Sequence, residues 1–155
     1  MGMGATWDVA LAERAGAVTA GGLRATGWVE DFAPVQDVYR DNRWGRAYES
    51  WSEAPMLAGA LGAADVRGLQ AAPGEGATTN SLRVAATLKH LVGNSQSING
   101  HDRVEGQLPV RELQDVFLPA YKDGIDANAR MVMISSSSIN AASWITSTPI
   151  AASAW

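Results

Sequence analysis

The chain has 155 residues, 46% of them hydrophobic, a formal net charge of −4 and no cysteine. That length and apolar content suit one globular domain with a real core and exclude a disordered chain, while the acidic balance offers no basic face for a nucleic-acid backbone. Disulfides and thiolate metal sites are excluded, two histidines (His90 and His101) leave little for a histidine-rich metal site, and no run approaches the ~18 apolar residues of a membrane span.

Residues 7–25 predict a helix, with Leu11, Ala15, Val18 and Leu23 at roughly helical spacing and Thr6 as N-cap. Residues 27–34 predict a short strand closed by Pro34, and residues 35–51 a polar, aromatic loop. A second helix is expected over 52–69, with Pro55 in its first turn and Leu57, Leu61 and Ala64 on one face. Residues 71–82 read as a surface loop, residues 84–88 as a small buried strand, and 93–108 as a long polar loop. Pro109 opens a third helix whose apolar stripe is Leu113, Val116, Phe117, Ala120 and Ile125. Met131 to Ile134 form the third strand, and Ser135 to Ser138 leave its end. Strands alternating with helices argue an α/β fold with a parallel sheet and flanking helices. In such sheets functional groups gather beyond the C-terminal strand ends. Arg46, the pair Lys89-His90 and the serine run are all placed there.

The residue types suggest what those ends could hold. Arg46 offers a rigid fork of donors, Lys89 a mobile cationic donor, and His90 a donor or an acceptor. Such groups suit the vicinal hydroxyls of a neutral sugar, and an aromatic surface such as Trp44 suits its C–H face. Structural alternatives stand beside this reading. Arg43 and Arg46 can pair with Asp41 and Glu49 to tie down a loop. Trp7, Trp28 and Trp51 read as packing residues. His101-Asp102 has the composition of a proton-transfer dyad, but neighbours on one loop seldom face each other. Ser135 to Ser138 lack a glycine elbow and a positioned histidine, so they read as strand-end hydroxyls making turn bonds.

Ordered segments resemble the family 3 glycoside hydrolases, the β-glucosidase family. Gly4-Ala5-Thr6-Trp7-Asp8 is similar to that family's GATWD segment, and Phe32 to Val38 to its FAPVxDV run. Arg40 to Ser50 resembles RDPRWGRxYES, with Asn42 where proline is usual. Val84 to Gly93 resembles VAAxxKHFVG, with Leu91 for phenylalanine. Asn99 to Arg103, Arg111 to Leu113 and Phe117 to Lys122 fit as well. The resemblance covers about Gly4 to Asn140 and implies part of a (β/α)8 TIM-barrel domain. A complete barrel runs to about 250 residues, and about three of its eight strand–helix units are expected here.

The resemblance implies a β-glucosidase acting on terminal non-reducing β-D-glucosyl residues, with Arg46, Lys89 and His90 gripping the sugar in the terminal subsite. It implies no cofactor and no metal. The partner is a β-glucoside or short β-glucan oligosaccharide, not nucleic acid and not a membrane. The family cleaves with retention through two carboxyl groups. Its nucleophile lies in an SDW-like run and its acid/base in a separate C-terminal part, and neither pattern is found between residues 1 and 155. Residues 1–140 are therefore expected to be a partial barrel domain and residues 141–155 a divergent, truncated tail. Glu49, Asp102 and Glu105 are then the loop carboxylates to consider for chemistry by this chain. The alternative is a non-catalytic sugar-binding or structural remnant. Three parallel strands leave two sheet edges, so an oligomer or the remainder of a barrel is expected to cover them. No signal-peptide pattern opens the chain, and the sequence assigns no compartment, cytoplasmic or secreted.

Overall fold

A computed structural model describes residues 2–71, 82–96 and 98–143. Helix α1 (Val9–Ala25) starts where Asp8 Oδ1 accepts the Leu11 N–H at 2.8 Å. Asp8 is thus the cap, not Thr6. The Thr6 hydroxyl acts one step earlier, donating to the Met3 carbonyl and accepting the Asp8 N–H. Helix α2 (Pro55–Gln70) starts later than the expected 52, with Pro55 at its first position, which has no use for an N–H. The two helices approach closely through small residues, with Ala12 and Ala64 buried beside Leu61 and Gly16 packed on Gly68.

Three parallel strands lie in the order β1 (Glu30–Asp31), β2 (Ala85–Leu91) and β3 (Met131–Ile134). Glu30 is in register with Ala85, and Thr87 with Met131. The first strand, Glu30–Asp31, is shorter than the expected 27–34, and Pro34 has no N–H to give the ladder. The chain still follows β2 beyond it: Lys89 N–H donates to the Pro34 carbonyl and Gln36 N–H to the Lys89 carbonyl. Strand β2 is longer than the expected 84–88, so Lys89 and His90 belong to its C-terminal end and do not follow it.

The third helix is continuous in path but mixed in pitch. A first turn, α3 (Val110–Glu112), passes through a π-helical stretch at Leu113–Phe117 into α4 (Leu118–Asp126). Pro119 lacks the N–H that regular α-helix would need there, and the wider turn accommodates the loss. The expected stripe faces inward: Leu113, Phe117 and Ala120 are buried, with Val116 and Ile125 packed at the margin. They meet Leu69, Val84, Leu88 and Val92 in one core. Beyond β3, the strands β4 (Ser138–Ile139) and β5 (Ala142–Ser143) form a small antiparallel pair that was not expected.

Two tryptophans depart from the packing role. Trp7 is 75% exposed and Trp28 63% exposed, whereas Trp51 packs against the core. The expected loop at 71–82 lies almost wholly outside the described residues, as do residues 144–155 of the tail. No helix among the described residues is long and apolar enough to cross a membrane.

Candidate functional site

The segment after β1 carries a carboxylate into the interior. Asp37 is 1% exposed, and two elements meet on it. Its Oδ2 accepts from the His90 backbone N–H at 3.2 Å and lies 2.8 Å from His90 Nδ1. Its Oδ1 accepts from the Tyr121 hydroxyl of α4 at 3.2 Å. Burial, then the adjacent Asp37 charge, pushes the Tyr121 phenol well above its usual range, so it remains a donor.

Farther along the same loop, a short 3-10 turn (Ala47–Glu49) brings Glu49 back onto Arg46. Arg46 Nε donates to Glu49 Oε1 at 2.7 Å and Nη2 to Oε2 at 2.8 Å, a parallel two-bond pair. The remaining terminal nitrogen, Nη1, reaches His90 Nε2 at 3.2 Å. The Glu49 pairing raises the Arg46 pKa, and the Arg46 hydrogen bonds lower that of Glu49, with Lys89 and His90 adding smaller favourable fields. Lys89 stands on the same strand end. No hydrogen bond or ion pair among the described residues holds its ammonium. The Lys89–His90 and Leu91–Val92 peptide bonds are cis.

The site is thus a line of four side chains, Asp37–His90–Arg46–Glu49, with the Lys89 ammonium near enough to act on Glu49 and on Asp31 of β1. Arg46, Lys89 and His90 are brought together at the strand ends. Arg46 is also bound to Glu49, and Arg43 to Asp41 at 2.7 Å, so the structural pairings and the clustering coexist. Hydrogen bonds from Arg43 hold Asp41 down at about 2.

Trp44 does not offer a ring face. It is 2% exposed, packed with Tyr39 and Ala47, and its indole Nε1 donates to Asp102 Oδ1 at 3.0 Å. Gly100, at φ +73, brings the 93–108 loop so close to the Arg43 backbone that a side chain would not fit there. That loop closes over the tryptophan. Asp102 therefore serves Trp44 and, at 3.5 Å, Arg103; no bond joins it to the exposed His101. Glu105 Oε1 accepts from the Ala141 N–H at 2.6 Å. Each of Glu49, Asp102 and Glu105 is already hydrogen-bonded to a different partner, and the charges of Glu49 and Asp102 both act on Arg46.

The serine run behaves as turn chemistry. Ser137 N–H donates to Ser135 Oγ at 3.0 Å. Both serine hydroxyls donate to Asn94 Oδ1 at 3.0 Å, a buried hub that pins β3 to the loop after β2. No cluster able to hold a metal ion occurs among the described residues.

The residues missed by the sequence reading are Asp37 and Tyr121. A carboxylate ending an apolar run, Phe32 to Val38, is the signal that marked Asp37, since a buried acid requires partners.

The profile of the glycosyl hydrolase family 3 N terminal domain matches residues 1–155. A lysosomal beta glucosidase of Dictyostelium discoideum is 35% identical over 143 residues, which is 90% of this chain and 17% of that protein. Among solved structures, the exo-1,3/1,4-beta-glucanase of a Pseudoalteromonas species superposes with a TM-score of 0.86 at 37% identity, over 90% of this chain and 17% of that one. A beta-glucosidase from Listeria innocua in complex with glucose gives 0.84 at 32% identity, over 89% of this chain and 19% of that one. The chain spans about a sixth of the length of the curated relatives it matches. Its parallel strands and outer helices are those of the barrel domain in these neighbours. The chain belongs to glycoside hydrolase family 3, as part of the family's N-terminal TIM-barrel domain.

Proposed function

We propose that this chain is the sugar-gripping portion of a β-glucosidase-type hydrolase that acts on terminal non-reducing β-D-glucosyl residues. The observation that carries the reading is the convergence of Arg46 and His90 at 3.2 Å, with Lys89 beside His90 at the C-terminal end of β2 in a parallel sheet. Side chains held in place by Glu49 and Asp37 cost little ordering entropy when a hydroxyl arrives, which is how a polar site gains affinity for a neutral ligand. The Listeria neighbour that holds glucose supports the same ligand class.

Arg46→Ala is expected to weaken glucose binding by about 1.5–3 kcal/mol, the worth of a hydrogen bond from a charged group. Calorimetric titration of folded wild-type and variant chain with glucose and a β-linked glucose disaccharide measures it. Equal affinities would remove Arg46 from the site, and no binding by the wild type would remove the reading.

A second reading, non-catalytic sugar recognition by this chain, is favoured by a different observation. Glu49, Asp102 and Glu105 are each tied to a structural partner. Two carboxyl groups flanking one bond are what glycoside cleavage asks for. Amide substitutions at these three positions, assayed on an aryl β-glucoside, separate the readings: an activity that depends on one of them restores it as a catalytic group.

The open edges also call for cover. Val29, Phe32, Met131 and Ile134, on or beside the edge strands β1 and β3, are between 39% and 64% exposed. Apolar surface of that kind is ordinarily covered. We propose that further barrel chain or a second copy covers it in the working protein. Light scattering of the isolated chain is expected to show association, and a clean monomer without binding of a hydrophobic dye would refute this.

A further inference from the structure

We infer that Asn99-Gly100 is a self-modification site: when the turn it forms opens, the Gly100 nitrogen displaces the Asn99 side-chain amide, and the isoaspartate so formed cannot close again on the Arg43 backbone. The inference is independent of what the strand-end site binds.

The turn itself calls for this pair of residues. Asn99 has φ 58 and ψ 24, Gly100 has φ +73, and the His101 N–H donates to the Ile98 carbonyl at 3.2 Å. Two consecutive left-handed residues inside such a bond make a type I′ turn, for which Asn-Gly is a favoured sequence. Gly100 is buried against Arg43, where a Cβ would stand 2.7 Å from the Arg43 Cβ and 2.8 Å from its carbonyl carbon. The same pair is also the one best suited to cyclise, because glycine puts no side chain beside the attacking nitrogen. Asn99 is exposed, and no hydrogen bond among the described residues holds its side-chain amide.

The reaction balances with water as its only co-reactant. Base takes the proton of the Gly100 N–H, the nitrogen bonds to Asn99 Cγ, and the Cγ–Nδ2 bond breaks to release ammonia. Water then opens the cyclic imide. Cleavage between the nitrogen and Cγ leaves an ordinary aspartate. Cleavage between the nitrogen and the main-chain carbonyl leaves isoaspartate, whose main chain runs through Cβ and Cγ and is one carbon longer. Both products carry a carboxylate where the amide was neutral.

The closed turn restrains the attack. At ψ 24 the Gly100 nitrogen nearly eclipses the Asn99 nitrogen and faces away from the Asn99 side chain. Ring closure needs rotation about the Asn99 Cα–C bond, which lifts Gly100 off Arg43. Two residues farther on, Asp102 accepts the Trp44 indole N–H at 3.0 Å and ties the segment down. Local opening therefore sets the rate. With the backbone one carbon longer, Gly100 cannot regain its seat on Arg43 while Asp102 keeps the indole bond.

Peptide mapping by mass spectrometry of the whole chain held at pH 8 follows the amide-to-acid mass gain at Asn99, with isoaspartate told from aspartate by electron-transfer fragmentation. The folded wild type is expected to convert at Asn99 roughly tenfold or more slowly than the same chain unfolded in urea. Asp102→Ala and Trp44→Phe each remove the tie and are expected to close most of that gap, scored only where circular dichroism shows the wild-type fold. A folded wild type that converts as fast as the unfolded chain, or not at all, would overturn the proposal. So would folded variants that keep the wild-type rate.

The blocked re-closure is read from the Trp44 indole N–H in a proton–nitrogen spectrum, assigned as the signal lost in Trp44→Phe. In the isoaspartate form, separated by ion exchange, that N–H is expected to exchange with solvent faster than in the wild type. In Asn99→Asp, which carries the same new charge on a normal backbone, it is expected to stay protected. Protection in both would overturn the blocked closure. Loss of protection in both would assign the effect to charge, and that too would overturn it.

Discussion

Asp65→Asn is expected to stabilise the chain at pH 8 and to leave its stability at pH 4 nearly unchanged. Asp65 lies on α2, where its Oδ1 faces the α1 backbone at Gly16. Burial pushes its pKa up to about 7, and the charge of Asp31 on β1 adds to the shift. Arg67, two residues along the same helix, is turned away onto Glu13 at 3.0 Å. An aspartate in the unfolded chain titrates near ~3.9. The folded state therefore holds its proton more tightly than the unfolded state does. Below pH 4 both forms are protonated and the group imposes no penalty. Between about pH 4 and 7 the unfolded chain releases the proton first, and stability falls as pH rises. Above pH 7 the penalty is constant. A shift of about three units corresponds to ~4 kcal/mol at 1.36 kcal/mol per unit, and the solvent that Asp65 still reaches reduces this to ~2–4 kcal/mol. Asparagine keeps the shape and has nothing to ionise. Denaturant titrations of both proteins at pH 4 and pH 8 read the difference directly. A wild type whose stability does not fall across that interval, or a variant that gains nothing at pH 8, would show that Asp65 ionises freely in the fold.

The same carboxylate shows where a sequence reading stops. The period of apolar residues located α2 by its buried face, Leu61 and Ala64, but misread α1, which buries Ala12, Gly16 and Ala20 and leaves Val18 exposed. It did not show that Asp65 would also be drawn under the crossing, since a single acid in a helix ordinarily reads as solvent-facing. Capping was misplaced for a similar reason. Thr6 and Asp8 are both good caps, and only the chain path decides that the threonine hydroxyl closes the preceding turn. At the site, Arg46, Lys89 and His90 were legible as residue types at strand ends, and the structure brings them together. Trp44 was not legible. An indole beside a polar site can be a platform or a floor, and the approach of Gly100 to Arg43 buries this one as a floor. Asp37 escaped because its partners, His90 and Tyr121, are 53 and 84 residues away in sequence. Pairings that distant are properties of the sheet, not of any local pattern.

Gly68→Ala is expected to destabilise the chain by about 1–3 kcal/mol, the usual cost of forcing an extra carbon into a packed interior. Helices α1 and α2 cross where Gly68 meets Gly16 and the Glu13 carbonyl. A Cβ at position 68 would fall inside contact distance of the Glu13 carbonyl oxygen and 2.9 Å from both Ala17 N and Gly16 Cα. All three obstacles are backbone, so no side-chain rotation relieves them, and the helices must separate. Helix propensity works the other way, because alanine in a helix interior is favoured over glycine by ~1 kcal/mol. The measured loss is thus the clash less that gain. A helical control with open space around its added carbon resolves the two. Gly21→Ala on α1 has no heavy atom near its added carbon and is expected to stabilise by the propensity difference alone. Urea unfolding of both variants at pH 5, where Asp65 is largely protonated in the fold, keeps the two effects apart. If Gly68→Ala stabilises as much as Gly21→Ala, the helices at this crossing are not in close contact.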